Sequence, residues 1–434
     1  MTTPADNAVR SWICFQIGAR EHYAVPRAIS ASGRDVRLVT DVWATAHSRS
    51  WMPKAWRQRS HPDVPSQWVT SWNVSAFALR LKTQSRTTWD RILIEDQWFQ
   101  KKAATALRKL VAQHSQPPIV FAYSYAALRI LETARELGCP TVLGQIDPGP
   151  VEVRLVQKLE AAYGLHNANW PTPEYWDNWR RECELADRIV VNSEWSRQAL
   201  EQELGCTDKL ERISLAYERQ AECSGDGNSQ TAISSTGPST TRVQDETGKH
   251  SPVDGPALPA KFTQDRQLQV LFLGQVILRK GIAELIDAVR NLQDAPVHWT
   301  IVGSGTSQLM EELQRLPSVT VAGQVVRSEA VRFYQTSDVF ILPTHSDGFA
   351  LTQLEAAAYG LPIIASRHCG EVVDNEQNGL LLDEVSGGEI AATVQQLLDR
   401  PEMLAQFRET QQQRPVYGVD ALAHRLSQLA DTLL

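Results

Sequence analysis

The chain has 434 residues, 42% of them hydrophobic, and a formal net charge of −7. This length exceeds the needs of one ordinary α/β domain, so we expect two. The six widely separated cysteines include no C-x-x-C pair, and no stretch reaches about 18 apolar residues, which argues against a disulfide scaffold, a zinc site and a membrane-spanning helix. Residues 1–10 are polar and lack the apolar core of a signal peptide. We therefore expect a cytoplasmic protein.

The first 115 residues are basic and rich in tryptophan, whereas the remainder is acidic. They hold 17 Lys and Arg against 8 Asp and Glu, together with eight of the thirteen Trp. Cations interleaved with aromatic rings, as in Arg49, Trp51 and Lys54, suit anionic headgroups or acidic acceptors, so one interpretation is peripheral contact with the inner face of a membrane. The other interpretation places the Trp rings in the core and the Arg side chains in solvent. The chain carries no nucleic-acid recognition motif, so no such partner is expected.

Strand-like apolar runs alternate with helical stretches through the first half of the chain. The predicted strands span residues 12–17, 36–40, 92–95, 119–122, 141–145 and 188–192. Amphipathic helices are predicted over residues 98–114 and 126–137, and the second ends at Gly138 and Pro140. This alternation predicts a parallel sheet with helices on both faces.

The amino-acid composition changes after residue 220, and a second series of alternating strands and helices begins later. Between residues 221 and 260, twenty of forty residues are Ser, Thr, Gly or Pro, so a disordered insertion is predicted there. The following strands are predicted over residues 268–273, 297–302, 319–321, 339–342, 362–365 and 380–382. We therefore predict an α/β fold of two Rossmann-like, doubly wound domains, residues 1–216 and 263–416, joined by a linker over 217–262. Such sheets bind ligands beyond the carboxyl ends of their strands, so two facing domains enclose a cleft.

The first loop of the second domain carries two adjacent cations. The strand over 268–273 ends at Gly274, and Arg279 and Lys280 precede a helix that begins near Gly281. Cations at this place suit the neutralisation of a pyrophosphate as it leaves. An ordinary pair of surface cations is the alternative.

Two further loops of this domain contain glycine. Gly303 and Gly305 follow the next strand, but the third glycine of a dinucleotide fingerprint is missing. This loop suits a close approach to a nucleobase or ribose. Val326, in the loop over 323–327, could contact the base through its backbone, or this loop could be a simple surface turn.

The most informative loop lies between the strand over 339–342 and a helix predicted over 351–359. A helix N-terminus offers unpaired N–H groups and partial positive charge, so it can stabilise a phosphate without a metal. Asp347 lies in the loop and Glu355 in the helix, where one carboxylate can accept hydrogen bonds from a donor sugar and the other from its ribose. The alternatives are that Asp347 caps the helix and that Glu355 is a solvated helix residue.

Taken together, these motifs resemble those of the retaining family 4 glycosyltransferases. In chain order they are Gly274 with Arg279-Lys280-Gly281, segments 301–305 and 337–343, and Asp347-Gly348-Phe349 with Glu355-Ala356 and 360–362. The resemblance covers about residues 268–382, in the family's order and spacing. It implies a GT-B architecture and transfer from a UDP- or GDP-type nucleotide sugar to a hydroxyl of a glycan, lipid or small molecule. It further implies retention of anomeric configuration, no cofactor, no metal and a place in polysaccharide biosynthesis.

The resemblance also implies roles for individual residues. Lys280 corresponds to the diphosphate-binding lysine, and the implied catalytic set is Lys280, Arg279 and Asp347. The implied donor-binding residues are Gly274, Gln275, Gly303, Gly305, Val326, Gly348, Phe349, Ala350, Leu351 and Glu355. Gln275 stands where the family commonly has Arg, so half of the diphosphate clamp is missing unless Arg279 replaces it. Asp347 is one methylene shorter than the family's Glu.

The resemblance is weaker in the first domain, where the acceptor would bind. The acceptor-side candidates are Gly18, Arg20, His22, Tyr123 and Asp147. Gly18 suits a flexible loop that faces the donor phosphates, and Arg20 and His22 could touch phosphate or acceptor. A helix-start role for Glu21 is the alternative for this loop. Residues 123–125 read Tyr-Ser-Tyr where many family members have a His, so no His can be assigned there.

The last segment, residues 417–434, has leucines at helical spacing. This pattern fits the family's habit of returning the last helix to the first domain, and a solvent-exposed helix with a narrow apolar stripe is the alternative.

The mechanism implied by the resemblance is a front-face displacement. The departing diphosphate oxygen takes the proton of the acceptor, while Lys280, Arg279 and the helix end before Glu355 stabilise its charge. Four other functions use similar architectures: a nucleotide-sugar epimerase, a phosphorylase, a catalytically silent binding subunit and a nicotinamide dehydrogenase. Gln275 favours the silent subunit, and the incomplete glycine fingerprint argues against the dehydrogenase.

Overall fold

A computed structural model of the protein describes residues 10–165, 169–205, 207–217, 256–413 and 417–433. Within these ranges the strands form two parallel sheets, of seven and of six strands, with helices on their faces. The predicted α/β architecture of two doubly wound sheets is confirmed. The predicted insertion lies almost wholly in residues 218–255, outside the described ranges.

The first sheet has the strand order β3-β2-β1-β4-β5-β6-β7. Its strands are β1 Trp12–Gln16, β2 Val36–Thr40, β3 Val69–Thr70, β4 Ile119–Tyr123, β5 Thr141–Gln145, β6 Arg188–Val191 and β7 Leu210–Arg212. Its helices are α1 Ala24–Ala31, α2 Asn73–Thr83, α3 Thr88–Val111, α4 Leu128–Glu136, α5 Pro150–Ala162, α6 Pro173–Leu185 and α7 Glu194–Leu204. The central strands β1 and β4 are buried along their whole length because helices cover both faces.

The strand predicted over residues 92–95 is wrong, because these residues lie inside helix α3. The hydroxyl of Thr87 accepts a hydrogen bond from the Asp90 amide (3.2 Å) and caps this helix. Its buried face, with Phe99, Ala103 and Leu107, follows helical spacing. A short apolar run cannot by itself distinguish a strand from part of a helix. The short edge strands β3 and β7 carry no long apolar run and were not predicted.

The second sheet has the strand order β10-β9-β8-β11-β12-β13. Its strands are β8 Leu268–Leu273, β9 Val297–Val302, β10 Val319–Gly323, β11 Val339–Leu342, β12 Ile363–Ser366 and β13 Gly379–Leu382. Its helices are α8 Ile282–Asn291, α9 Ser307–Gln314, α10 Arg327–Thr336, α11 Leu351–Ala358, α12 Gly387–Asp399 and α13 Glu402–Gln413. The strand order reverses between β8 and β11, so the loops that follow these two strands flank the crevice in which such sheets bind ligands.

A buried ion-pair cluster fixes the start of β11. The Asp338 carboxylate is fully buried and accepts two hydrogen bonds of 2.8 Å from Arg266, one of 3.2 Å from Arg408 and one of 3.0 Å from the Gln269 amide. These bonds tie the beginning of β8 and helix α13 to the segment that leads into the crevice.

The last described helix, α14 Val419–Asp431, packs on the first sheet. Its buried leucines, Leu422, Leu426 and Leu429, belong to the same hydrophobic cluster as Val25 and Ile29 of α1. The helix therefore does not stand free in solvent as the alternative interpretation had it.

Most tryptophans of the basic N-terminal region pack in or against the hydrophobic core. Trp43 and Trp56 are buried, whereas Trp51 is 45% exposed. Among the described residues no helix is both long and apolar enough to cross a bilayer.

Candidate functional site

The two sheets meet through the loops that follow their strands. Ser346, in the loop after β11, donates a hydrogen bond of 2.7 Å to Glu152 at the start of α5 and accepts one of 3.0 Å from the Trp195 indole in α7. The backbone oxygen of Gly348 accepts a hydrogen bond of 3.4 Å from Ser196. The loop over residues 344–350 thus lies at the junction of the two domains.

The loop after β8 brings the predicted cations into this junction. It forms one turn of 3-10 helix, Leu278–Lys280, and then Gly281 with a left-handed φ of 71°. A side chain at Gly281 would place its Cβ 1.8 Å from the Pro343 carbonyl oxygen, so only glycine lets the loops after β8 and β11 pack together. The carbonyl of Arg279 accepts hydrogen bonds from the backbone of His345 (2.8 Å) and the hydroxyl of Thr344 (3.0 Å), which locks this packing.

Lys280 and Asp347 form an ion pair across the two loops. The Lys280 ammonium contacts the Asp347 carboxylate, and their side chains are 12% and 15% exposed. Burial and the neighbouring Arg279 charge lower the pKa of Lys280 to about 7. Helix α11 begins after Ala350 without any side-chain cap, so Asp347 is not the cap that the alternative interpretation proposed. The pair instead places a nearly buried ammonium and a nearly buried carboxylate at the crevice.

Arg279 faces the first domain. Its guanidinium donates hydrogen bonds to the Ser346 carbonyl (2.8 Å) and to the Glu152 carboxylate (3.2 Å). Burial raises the pKa of Glu152, and Arg279 opposes that change. Gln275 is exposed. The cation pair is therefore not an ordinary surface feature, and Glu152, which the sequence analysis did not select, holds Arg279 in place.

The turn into α11 has a strained backbone. Ala350 has φ 67° and ψ 90°, a left-handed conformation that costs a non-glycine residue about 1 kcal/mol or more. The buried Gln353 side chain supports the turn by donating hydrogen bonds to the Phe349 carbonyl (2.5 Å) and the Gly370 carbonyl (2.9 Å). The Gln353 amide donates to the Ala350 carbonyl (3.2 Å), whereas the Leu351 and Thr352 amides have no acceptor within the helix and can serve an anion.

Glu355 lies inside the site rather than in solvent. Its carboxylate accepts a hydrogen bond of 2.8 Å from the Tyr334 hydroxyl and lies 3.4 Å from the Arg327 guanidinium. Burial raises the pKa of Glu355, and both of these neighbours oppose that change. Arg327 also lies 5.3 Å above the Tyr217 ring and 2.7 Å from His22 of the first domain. Partial burial and the charge of Arg327 lower the pKa of His22 to about 4, so the neutral ring can accept from Arg327.

Arg327 was missed by sequence reasoning, although it follows the selected Val326. A charged residue at a helix start has many ordinary uses, and only the fold places it between Glu355 and His22. Val326 itself is 59% exposed and precedes α10.

The glycines at Gly303 and Gly305 approach another loop of the same domain. A Cβ at Gly303 would lie 1.8 Å from the Gly274 oxygen, and one at Gly305 would lie 1.8 Å from the Val276 oxygen. This close contact accounts for both glycines. Their predicted contact with a nucleobase or ribose stays a prediction.

The loop after β1 places the acceptor-side candidates around a left-handed turn. Gly18 has φ 76°, and its amide donates a hydrogen bond of 2.8 Å to Asp41. Glu21, His22 and Tyr23 also have positive φ, between 49° and 62°. His22 therefore points toward the second domain, whereas the Arg20 guanidinium lies over the Tyr123 ring at 5.7 Å. Glu21 lies in a short 3-10 helix, Arg20–Tyr23, that leads directly into α1 at Ala24. Its φ of 49° is left-handed, so it is not a regular helix-start residue.

The first domain contains two adjoining cavities of about 300 and 250 Å³. Both are lined by Trp89, Tyr125, Tyr175 and Asp147. Tyr125 was not selected from the sequence, yet its hydroxyl donates a hydrogen bond to Asp147. The smaller cavity reaches Arg279 and Glu152, and so adjoins the crevice of the second domain.

Comparison of the sequence with known families identifies the second domain. Residues 257–414 match the family described as glycosyl transferases group 1. A stretch of 173 residues is 25% identical to a Campylobacter jejuni N,N'-diacetylbacillosaminyl-diphospho-undecaprenol alpha-1,3-N-acetylgalactosaminyltransferase, covering 39% of this chain and 46% of that protein. A stretch of 142 residues is 30% identical to Mycobacterium tuberculosis glycogen synthase, covering 31% of this chain and 34% of that protein. The chain thus spans less than half the length of these curated relatives.

Solved structures resemble the whole chain in fold. Sucrose-phosphate synthase from Thermosynechococcus elongatus superposes with a TM-score of 0.63 at 17% identity, covering 98% of this chain and 99% of that one. HepE from Anabaena, in complex with UDP-glucose, superposes with a TM-score of 0.58 at 14% identity, covering 98% and 100%. At these identities the likeness establishes the fold, and it confirms the predicted GT-B architecture.

Proposed function

Because residues 257–414 match the family described as glycosyl transferases group 1, we propose that the whole chain transfers a sugar from a nucleotide diphosphate sugar to an acceptor hydroxyl. One observation carries the proposal: Lys280 and Asp347 pair at the crevice beside the uncapped start of α11, at the junction with the first domain. A buried cation and helix amides together suit a diphosphate.

The donor diphosphate would take the place of Asp347 as the main partner of Lys280. A bound dianion favours the charged ammonium and so counters the lowered pKa of Lys280. Asp347, released from this pair, could then accept hydrogen bonds from the donor sugar. Arg279 would add charge from the side of the first domain, where Glu152 and the Ser346 carbonyl orient it.

The ribose would bind at Glu355. Its carboxylate already lies between Tyr334 and Arg327, and a carboxylate can accept hydrogen bonds from two vicinal hydroxyls. The contact of Arg327 with His22 would then connect an occupied donor site to the first domain. We propose a UDP- or GDP-type donor, and the HepE structure with UDP-glucose supports UDP as the first to test.

Transfer would proceed with retained configuration and without a metal. The acceptor oxygen forms a bond to the anomeric carbon on the same face from which the diphosphate departs, as the bond between that carbon and the diphosphate oxygen breaks. The departing diphosphate oxygen takes the proton of the acceptor hydroxyl. The chain's own residues hold the charge of the leaving group: Lys280, Arg279 and the first amides of α11. A cytoplasmic location belongs to the same proposal.

A binding and turnover panel tests this function. Thermal shifts and calorimetry with UDP, GDP and ADP and their glucose conjugates identify the donor, and Lys280→Ala should lose most of the nucleotide affinity. Lys261→Ala, an exposed lysine of the same domain, is the matched control. If no nucleotide binds, or if both variants bind like the parent, the proposal is wrong. Binding without release of nucleotide diphosphate in the presence of acceptors would instead indicate the silent subunit.

We also propose peripheral contact with an anionic membrane through residues 42–89. This segment has seven Lys and Arg but only one acid, Asp63. It contains three exposed large hydrophobics, Trp51, Val74 and Leu81, which are 45%, 72% and 52% exposed. Co-sedimentation with vesicles containing phosphatidylglycerol should exceed that with phosphatidylcholine alone, and Leu81→Ser should weaken it. Equal binding to both vesicle types would refute the contact.

A further inference from the structure

The two adjoining cavities of the first domain have walls of aromatic rings. Tyr125 and Tyr175 stack at 5.2 Å with an interplanar angle of 16°, and Trp89 meets Tyr175 edge-on at 5.2 Å. Trp176 adds an edge contact to Tyr125 at 6.1 Å. Because these four rings line the smaller cavity and three of them also line the larger one, they form one continuous aromatic surface.

Tyr125 is held in this surface at a cost in backbone strain. Its φ of 76° is left-handed, which a non-glycine residue adopts only when its surroundings enforce it. The buried Glu182 carboxylate accepts from the amides of Tyr125 (2.7 Å), Ala127 (2.8 Å) and Leu128 (3.0 Å), and the Tyr125 hydroxyl donates to Asp147. The ring therefore has one fixed position between the two cavities.

The larger cavity is short of positive charge. Three carboxyl groups line it, those of Glu95, Asp96 and Asp147, against the single cation Arg20. Asp147 is engaged by Tyr125 and by the Gly149 amide (2.9 Å). Within the described part of the chain, no group lies within hydrogen-bond distance of the Asp96 carboxyl. Burial raises the pKa of Asp96 to about 8, and the charges of Glu182 and Glu95 add to this rise while Arg20 opposes it.

These features select among chemical classes of ligand. Aromatic faces attract ammonium groups, with a gain of about 0.5–2 kcal/mol, and a carboxylate adds a charge-assisted hydrogen bond. A phosphorylated or carboxylated ligand would meet three acids and one cation, so it would be repelled. A neutral sugar would stack on the rings, but it would not supply a cation. Because of its raised pKa, the Asp96 carboxyl keeps its proton near neutral pH, and a bound ammonium would favour its ionised form.

Resting on the proposed function, we propose that the acceptor carries a protonated amine, as an amino sugar or aminocyclitol does. The amine lies among Trp89, Tyr125 and Tyr175 and pairs with Asp96. The acceptor ring extends through the smaller cavity, whose far wall includes Arg279, so that a hydroxyl reaches the donor side.

Three probes of the same ring size and different charge test this inference. Glucosamine, glucose and glucose 6-phosphate are titrated into the full chain with UDP present, and binding is followed by tryptophan fluorescence and calorimetry. Glucosamine should bind about tenfold more tightly than glucose, equivalent to one favourable ammonium site. Glucose 6-phosphate should bind more weakly than glucose.

The Asp96→Asn variant should reduce the preference for glucosamine over glucose to less than about threefold. The control is Asp90→Asn, an exposed acid on the same helix outside the cavity. If Asp96→Asn does not fold, Trp89→Leu serves instead and should weaken glucosamine binding. Circular dichroism checks the fold of each variant.

Equal binding of glucose and glucosamine, or no binding of glucosamine, overturns the inference. The nucleotide panel on the same preparation separates the two proposals. Nucleotide binding without a preference for the amine refutes only the acceptor class. Amine binding without any nucleotide binding refutes the proposed function.

Discussion

Gly348 lies at a tight backbone contact between the two domains, and adding one methyl group there should slow turnover. A Cβ at this position would lie 2.0 Å from the carbonyl oxygen of Ile146, which follows β5 of the first domain, and 3.0 Å from its carbonyl carbon. Real Cβ atoms essentially never lie closer than 3.0 Å to another heavy atom, and ordinary van der Waals contact begins at 3.4 Å. In Gly348→Ala the two loops must therefore separate by about 1 Å.

The consequence should appear in catalysis and not in folding. A displacement of about 1 Å between reacting groups costs on the order of 100-fold in rate, equivalent to about 2.7 kcal/mol. Gly348 is not among the glycines with left-handed φ, so alanine can adopt its backbone conformation without strain. We expect kcat to fall about 100-fold while the affinity for the nucleotide diphosphate, which the proposed function assigns to the second domain, stays within about twofold.

The assay measures release of nucleotide diphosphate from the nucleotide sugar, alongside calorimetric affinity and urea unfolding. Gly388→Ala is the matched control, because a Cβ there meets no atom within 4 Å and its φ is not left-handed. A kcat within threefold of the parent would refute the reasoning. An equal loss of nucleotide affinity would show that the methyl group obstructs the donor instead of the domain contact.

Four further predictions concern charge. In the release assay, Lys280→Ala should lower kcat by an amount equivalent to about 2–4 kcal/mol of activation free energy. A variant with unimpaired kcat would refute the charge-stabilising role of Lys280. The pKa of Lys280 is about 7, so its ammonium loses the proton above that pH. We therefore expect kcat/KM for the donor to fall up to about tenfold per pH unit above pH 7. The Lys280→Arg variant, which stays charged, should not show this fall. Glu355→Gln should raise KM for the donor severalfold with kcat little changed, and a fall in kcat alone would contradict its ribose role. Asp338→Ala should lower the free energy of unfolding in urea by about 3–5 kcal/mol, because Arg266 and Arg408 lose a buried partner, and an unchanged midpoint would refute this.

Metal independence has its own test. Addition of EDTA should leave the rate of nucleotide diphosphate release unchanged, since cationic side chains and helix amides hold the leaving group in the proposed mechanism. Loss of activity that Mg²⁺ or Mn²⁺ restores would overturn this part of the proposal.

Local sequence patterns were sufficient to predict the bounds of strands that are buried on both faces, because such strands are mostly apolar. Strands β8 and β11 were predicted with the bounds that the structure has, and so was β2. The run over residues 92–94 is also apolar, but it belongs to a 24-residue helix whose cap lies five residues upstream of Ile92, at Thr87. Periodicity over a few residues cannot separate these cases, because only the longer helical pattern and the cap do.

Contacts between residues far apart in the chain could not be predicted from local sequence patterns. Lys280 and Asp347 were both selected from the sequence, but their ion pair depends on the packing of two loops that Gly281 permits. Glu152, Tyr125 and Arg327 were not selected. A glutamate in a helix start, a tyrosine after a strand and an arginine after a turn all have common structural uses. Only their neighbours in the folded chain distinguish them: Arg279 for Glu152, Asp147 for Tyr125 and His22 for Arg327.

The sequence by itself determined the two βα series, the position of the crevice loops and the resemblance of the second domain to the glycosyl transferases group 1. These features depend on consecutive residues, because a buried strand is apolar along its length and a loop follows it directly. The tertiary structure alone decided which charges meet. It brought Glu152 to Arg279, His22 to Arg327 and an aromatic, acid-lined cavity to the side of the donor crevice. These encounters join residues more than a hundred positions apart, and chain connectivity carries no information about such distances until both sheets have folded and docked.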